Sequence, residues 1–174
     1  MSDNSPRRPI ARLTTELRVT GLGQFALGLA CLVVALTSSD LRPVRAIVPF
    51  AIAFVAVGAV SAYGSRWMRT AATPPAPDDA VVEPHALTVR RGVMKAAVAL
   101  LVVALAVASG PVLGVVFGGI VAAAGAAEIR DYTWLSAREK SLRREIHAER
   151  GRFPLVGGTR ALYTRPISAV TLRT

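Results

Sequence analysis

The sequence predicts an all-α membrane protein: four transmembrane helices as two consecutive hairpins, then a cytoplasmic juxtamembrane helix and a flexible tail. Three observations carry this expectation. Apolar residues make up 52% of the chain and are bunched into long uncharged blocks, not spread at helix or strand period. The longest block, Ala96 to Ala127, has Ser109-Gly110-Pro111 in its middle. Basic residues fall almost wholly on the segments that four crossings would leave on one side. The implied divisions are a basic N-terminal arm (1–18), a first hairpin (19–65), a Pro-rich linker (66–91), a second hairpin (92–129) and a basic tail (130–174).

The N-terminal arm places Ile10, Leu13 and Leu17 on one helical face among arginines, the pattern of a short interfacial helix. Val19 to Ser39 then runs uncharged for 21 residues, and Ala46 to Ser65 for 20. A hydrocarbon core of ~30 Å needs roughly 20 helical residues, so each block fits one crossing. Ala35-Leu36-Thr37 makes a poor signal-peptidase site, so the first block reads as an uncleaved helix. The linker "TAATPPAPDDAVVEPHALTVRR" holds four prolines and reads as a flexible, partly extended segment without a core of its own.

The third block is too long for one crossing. Its 32 residues would span about 48 Å as a single helix, well beyond what ordinary tilt absorbs. Pro111 lacks an N–H and disfavours helix in the residue before it, while Gly110 frees the chain to turn. Two helices are expected, roughly Gly92–Ser109 and Pro111–Ile129. Lys95 and Glu128 lie level across such a hairpin, which makes an interfacial ion pair between them geometrically natural. Independent snorkelling of both to the headgroups is the alternative.

Charge gives a second test of the four crossings. Four basic residues precede the first block, two separate the first pair, five lie between the pairs and ten follow Ile129. Four crossings put the four, five and ten together, and both termini in the cytoplasm of a bacterial inner membrane. The net charge of +10 follows from the same bias. No recognition motif or aromatic platform accompanies it, so nucleic acid is not an expected partner.

Superposing the hairpins at an offset of 69 lays Gly23 on Gly92 and "ACLVVAL" on "ALLVVAL". A tandem duplication leaves this pattern, and so does chance in blocks dominated by Ala, Val and Leu. In composition the hairpins resemble the two-helix units of small bacterial inner-membrane proteins, a resemblance that transfers no site residues.

Helices in lipid associate by close backbone approach at small side chains. Gly114, Gly118, Ala122 and Gly125 form such a stripe on the fourth helix, either for internal packing or for a homo-oligomer. Polar groups within the blocks are few: Gln24, Thr37, Ser61 and Tyr63. Gln24 reads as a hydrogen-bonding contact to a neighbouring helix.

Past Tyr132 and Trp134, Ser136 and Glu139 match a capping box. An amphipathic helix over about 136–150 is therefore expected, ended by Gly151, with Leu135, Leu142 and Ile146 as its apolar stripe. Arg138, Lys140, Arg143 and Arg144 are its candidate contacts with anionic phospholipid or a protein partner. Gly157-Gly158 marks a turn in what reads as a mobile tail.

Two histidines and one cysteine give no metal-ligand spacing. No nucleophile with a base and no phosphate loop is found, and the acids of "PDDAVVEPH" sit in a flexible linker that would not hold catalytic geometry. No catalytic, cofactor or metal residue is assigned, and an enzyme is not expected. The function expected is a structural, assembly or regulatory role in the membrane. A subunit of a transporter or channel formed on oligomerisation is the alternative.

Overall fold

The computed structural model describes residues 9–38, 42–78, 80–149 and 161–166. A short strand β1 (Ile10–Arg12) leads directly into α1 (Leu13–Ser38). Then follow α2 (Pro43–Gly64), a single turn and a half α3 (Arg66–Thr70), α4 (His85–Ser109) and α5 (Pro111–Leu142). Strands β2 (Arg144–Glu149) and β3 (Leu162–Pro166) complete the order. α1, α2, α4 and α5 are each long and apolar enough to cross a membrane.

The long uncharged run is two helices. Gly110 separates them with φ +151°, ψ +149°, a conformation that residues with a Cβ adopt only under strain. Pro111 opens α5, where its missing N–H costs nothing and its fixed φ suits the first turn.

α5 is the centre of the bundle. It packs against α1, α2 and α4, and α1 also packs on α4; α1 and α2 meet only briefly. Glycine explains this arrangement. A methyl group on Gly28 of α1 would stand 2.5 Å from Ala122 Cβ, and one on Gly118 would stand 2.8 Å from Cys31 Cβ. On another side of α5, a methyl on Gly119 would meet the Phe50 carbonyl of α2 at 2.6 Å. Backbones this close gain dispersion contacts that bulkier residues would forbid. Among the described residues α2 and α4 do not touch. A two-fold relation between hairpins would make that pair equivalent to α1–α5, so the packing is asymmetric. α4 has only Gly92 in its span where α5 has four glycines.

One end of the bundle carries a small folded cap, and here the chain departs from the all-α expectation. β1, β2 and β3 form an antiparallel sheet in that order, with Arg12 opposite His147 and Ala148 opposite Leu162. The linker is pinned to both sheet edges. Ile10 N donates to Val81 O and Glu83 N to Ile10 O at one edge. Thr164 N donates to Pro74 O and Ala76 N to Thr164 O at the other. These bonds satisfy edge groups that would otherwise invite other strands. Leu13, Met68, Leu135, Ile146, Ala148 and Leu162 form the cap core, flanked by Trp67 and Trp134.

The predicted helix over 136–150 is therefore corrected. α5 runs without interruption through Ser136 to Leu142, and Arg143 closes it in the left-handed conformation at φ 51°. Residues 144–149 are strand because Ile146 and Ala148, two apart, both enter the core. The N-terminal arm is likewise strand at Ile10–Arg12 before its helix begins, and the linker is held rather than free. Gly151 and the Gly157-Gly158 turn lie outside the described residues.

Candidate functional site at the capped end of the bundle

Charged side chains converge in two layers where cap and bundle meet. The upper layer lies in the cap. Arg12 reaches Glu145 at 3.3 Å and Glu139 at 3.6 Å. Glu139 Oε1 accepts from Ile146 N at 2.8 Å and from the Thr14 hydroxyl at 3.4 Å. One carboxylate thus ties the end of α5 to the start of α1 and the middle of β2. His147 is 3% exposed, with Nε2 3.3 Å from Glu145 Oε2 and Nδ1 buried without a partner. Burial pushes its pKa below the ordinary value of 6.5. The hydrogen bond and charge of Glu145 oppose that shift, and Arg165 and Arg12 add to it.

The lower layer lies at the cap-proximal third of the bundle. Lys95 of α4 pairs with Glu16 of α1, and Arg91 pairs with Glu83 at the end of the linker. Glu16 and Glu83 are 3% and 8% exposed. Thr20 and Thr88, each 1% exposed, hold buried hydroxyls without hydrogen-bond partners, as does Gln24 Oε1. On α5, Arg130 Nη2 donates to Ser65 Oγ at 2.6 Å and to Asp131 Oδ1 at 2.9 Å, fastening α5 to the α2–α3 junction.

The residues singled out from sequence fall as follows. Lys95 takes Glu16 as its partner, while the Cβ of Glu128 lies against Gly21, 3.1 Å from where a methyl on that glycine would stand. Gly118, Ala122 and Gly125 face α1, and Gly114 faces Val107 of α4. Arg138 lies over the Trp134 ring at 5.3 Å, whereas Lys140, Arg143 and Arg144 are exposed at the far tip of α5.

Sequence reasoning gave no site role to Glu16, Arg91, Arg12, Glu145 or His147, and gave Glu139 only a capping role. A signal existed for the lower layer: Glu16, Thr20 and Gln24 recur every fourth residue, and Thr88, Arg91 and Lys95 at helical spacing face them. For the upper layer no local signal existed, because strand pairing across the whole chain assembles it.

Beyond the lower layer, α1 and α4 run on towards the uncapped end. A cavity of about 470 Å³ opens between them, walled by Leu27, Cys31 and Val34 on one side and Leu100 and Val103 on the other, with Val115 of α5 beneath. Among the described residues, no three side chains of metal-ligating type converge. No family model, curated protein or solved structure matches the chain.

Proposed function

We propose that the chain is a small multi-pass protein of a bacterial inner membrane with a structural, assembly or regulatory role, and that its cap is the contact part. The carrying observation is the continuity of α5. It leaves the apolar span near Ile129 and continues to Leu142 as the spine of the cap core, so whatever docks on the cap is mechanically joined to the bundle. On this reading the cap is cytoplasmic, because it gathers the segments rich in Lys and Arg.

A protein partner suits the tip better than lipid does. Lys140, Arg143 and Arg144 stand roughly 15–20 Å along the helix from Arg130, beyond the headgroup layer. Arg66, Arg69 and Arg90 are exposed lower down, where anionic phospholipid would lie. The test is capture of partners in mild detergent by the full chain and by a Lys140→Glu, Arg143→Glu, Arg144→Glu variant. Loss of the captured protein with unchanged membrane insertion supports the reading. Retention of the same partners by the variant removes it.

The lower layer favours a second reading, a transporter or channel subunit completed by oligomerisation. Ionisable and unpartnered polar groups within a span mark pathways more often than packing. Solute flux in liposomes that disappears in Gln24→Leu would support it.

A further inference from the structure

We propose that the corner between α2 and α3 binds the phosphate of an anionic phospholipid, held by Arg66 and Arg69, with an acyl chain along Val60 and Tyr63. The inference rests on the membrane-spanning part of the reading above and is independent of partner docking at the α5 tip.

The corner lies at headgroup level. α2 has 22 residues and covers roughly 33 Å, about the thickness of the hydrocarbon core. With Pro43 at one face of that core, Gly64 lies at the other. There the chain turns at Ser65 into α3, whose Met68 is buried in the cap core and whose Arg66 and Arg69 are exposed. Three positions apart on a helical turn, the two arginines are neighbours.

These cations are held in place and left free to bind. The Arg66 guanidinium carbon stands 5.2 Å from the centre of the Tyr63 ring, a stack that fixes the group while leaving its edge N–H donors open. Arg130 of α5 fastens the same corner through Ser65 and has its own carboxylate in Asp131. Arg12, Arg91 and Lys95 are likewise paired with acids. Among the described residues Arg66 and Arg69 have no carboxylate partner. Charge complementarity asks for an anion there, and planar guanidinium donors suit a phosphate.

The surface below the arginines decides for a lipid over a soluble phosphate. Val60 and Tyr63 are each 73% exposed and lie three positions apart, so apolar surface leads up to the Arg66 stack. A phospholipid in the same leaflet lays a chain against Val60 as its phosphate meets Arg66. A soluble phosphate would reach the arginines without using that surface.

The test titrates the full chain in dodecyl maltoside micelles with dioleoyl phosphatidylglycerol or dioleoyl phosphatidylcholine and follows the first bound lipid by native mass spectrometry. With each arginine contributing roughly fivefold, the anionic lipid is expected to bind about 25-fold more tightly. Arg66→Gln or Arg69→Gln alone should weaken it about fivefold, and the double variant about 25-fold. Should the double variant fail to fold, the single variants decide the same question. Arg90→Gln is the control, because α4 touches neither α2 nor α3 among the described residues. A distant exposed charge is screened, so this variant should change the affinity by less than about twofold. Equal affinity for the two lipids, a double variant that binds like the wild type, or an Arg90→Gln loss as large as that of the double variant would each overturn the assignment. So would displacement of the lipid by an equal concentration of glycerol 1-phosphate, which would identify a soluble phosphate as the occupant. A chain that inserts normally and captures its protein partner while showing no lipid preference would sink this site and leave the docking role standing.

Discussion

Gly118 of α5 lies so close to Cys31 of α1 that a methyl group on the glycine would stand 2.8 Å from the cysteine Cβ. The contact is one rung of a ladder in which Gly21 and Gly28 meet Gly125 and Ala122. Lipid gives helices no hydrophobic reason to associate, so the fit of these rungs holds α1 on α5. Gly118→Leu and Gly28→Leu are expected to lower stability by about 2–3 kcal/mol through overpacking. Gly58 of α2 is the control, since nothing lies within 4 Å of a methyl placed there. Gly58→Ala should raise stability slightly by helix propensity, by up to about 1 kcal/mol. Unfolding in mixed micelles measures all three.

Lys95 and Glu16 form an ion pair whose side chains are 15% and 4% exposed. Breaking such a pair leaves one buried charge uncompensated. Lys95→Met alone is expected to cost about 3–5 kcal/mol, and Glu16→Leu alone a similar amount. The double variant should recover most of that loss, because it buries no unpaired charge. The same micelle unfolding assay, run as a double-mutant cycle, reads the recovery. A double variant as unstable as the sum of the singles would show that the two groups serve separate partners.

What could be read in the sequence divides along the same line as the forces. Helices that cross lipid advertise themselves locally. Each needs about 20 apolar residues, so Val19–Ser39 and Ala46–Ser65 stand out, and Gly110-Pro111 divides the third block. The small residues of α5 are also visible, because close approach admits nothing larger. The cap was not legible. Arg12 and His147 are register partners 135 positions apart, joined by backbone bonds that any sequence can make. Ser136 and Glu139 look like a capping box, but Glu139 spends its carboxylate on Ile146 N and the Thr14 hydroxyl. Tertiary bonding overrode a local preference there.

Glu139 is the joint of the cap. Glu139→Ala would strand the buried Ile146 N–H and remove one of the two carboxylates facing Arg12. We expect destabilisation of the cap by about 2 kcal/mol, while the bundle stays folded. Glu139→Gln keeps an acceptor for Ile146 N and should cost less. Hydrogen exchange at the amides of β2 and β3, compared with those of α1 and α5, separates local from global loss.

His147 makes the cap sensitive to acid. Its pKa is lowered by burial in the folded chain, so the unfolded chain takes up a proton first as pH falls. Stability contributed by the neutral ring is full above about pH 6.5, the ordinary value. It declines below that and levels off once pH passes the folded-state pKa. Protection of the Ile146 and Ala148 amides should therefore weaken from pH 7 towards pH 5 after correction for intrinsic exchange. His147→Leu should flatten this part of the profile. A wild-type profile already flat over that range would mean that the ring titrates alike in both states.

The sheet also bears on topology. β1 precedes the first spanning helix, the linker separates the second pair from the first, and β2 follows the last; all three meet in one cap. Four helices that begin and end at one cap return the chain to the compartment it left. On the orientation proposed for the chain, this compartment is the cytoplasm. In a Cys31→Ala background, a cysteine placed at Lys140 should resist an impermeant maleimide in intact cells and react after permeabilisation. A cysteine at Ser109, next to the Gly110 break, should react from outside. Because the sheet fixes the cap segments to one another, the two sites must exchange behaviour together if the orientation is inverted. Labelling of both sites from the same side would contradict the four-crossing arrangement itself.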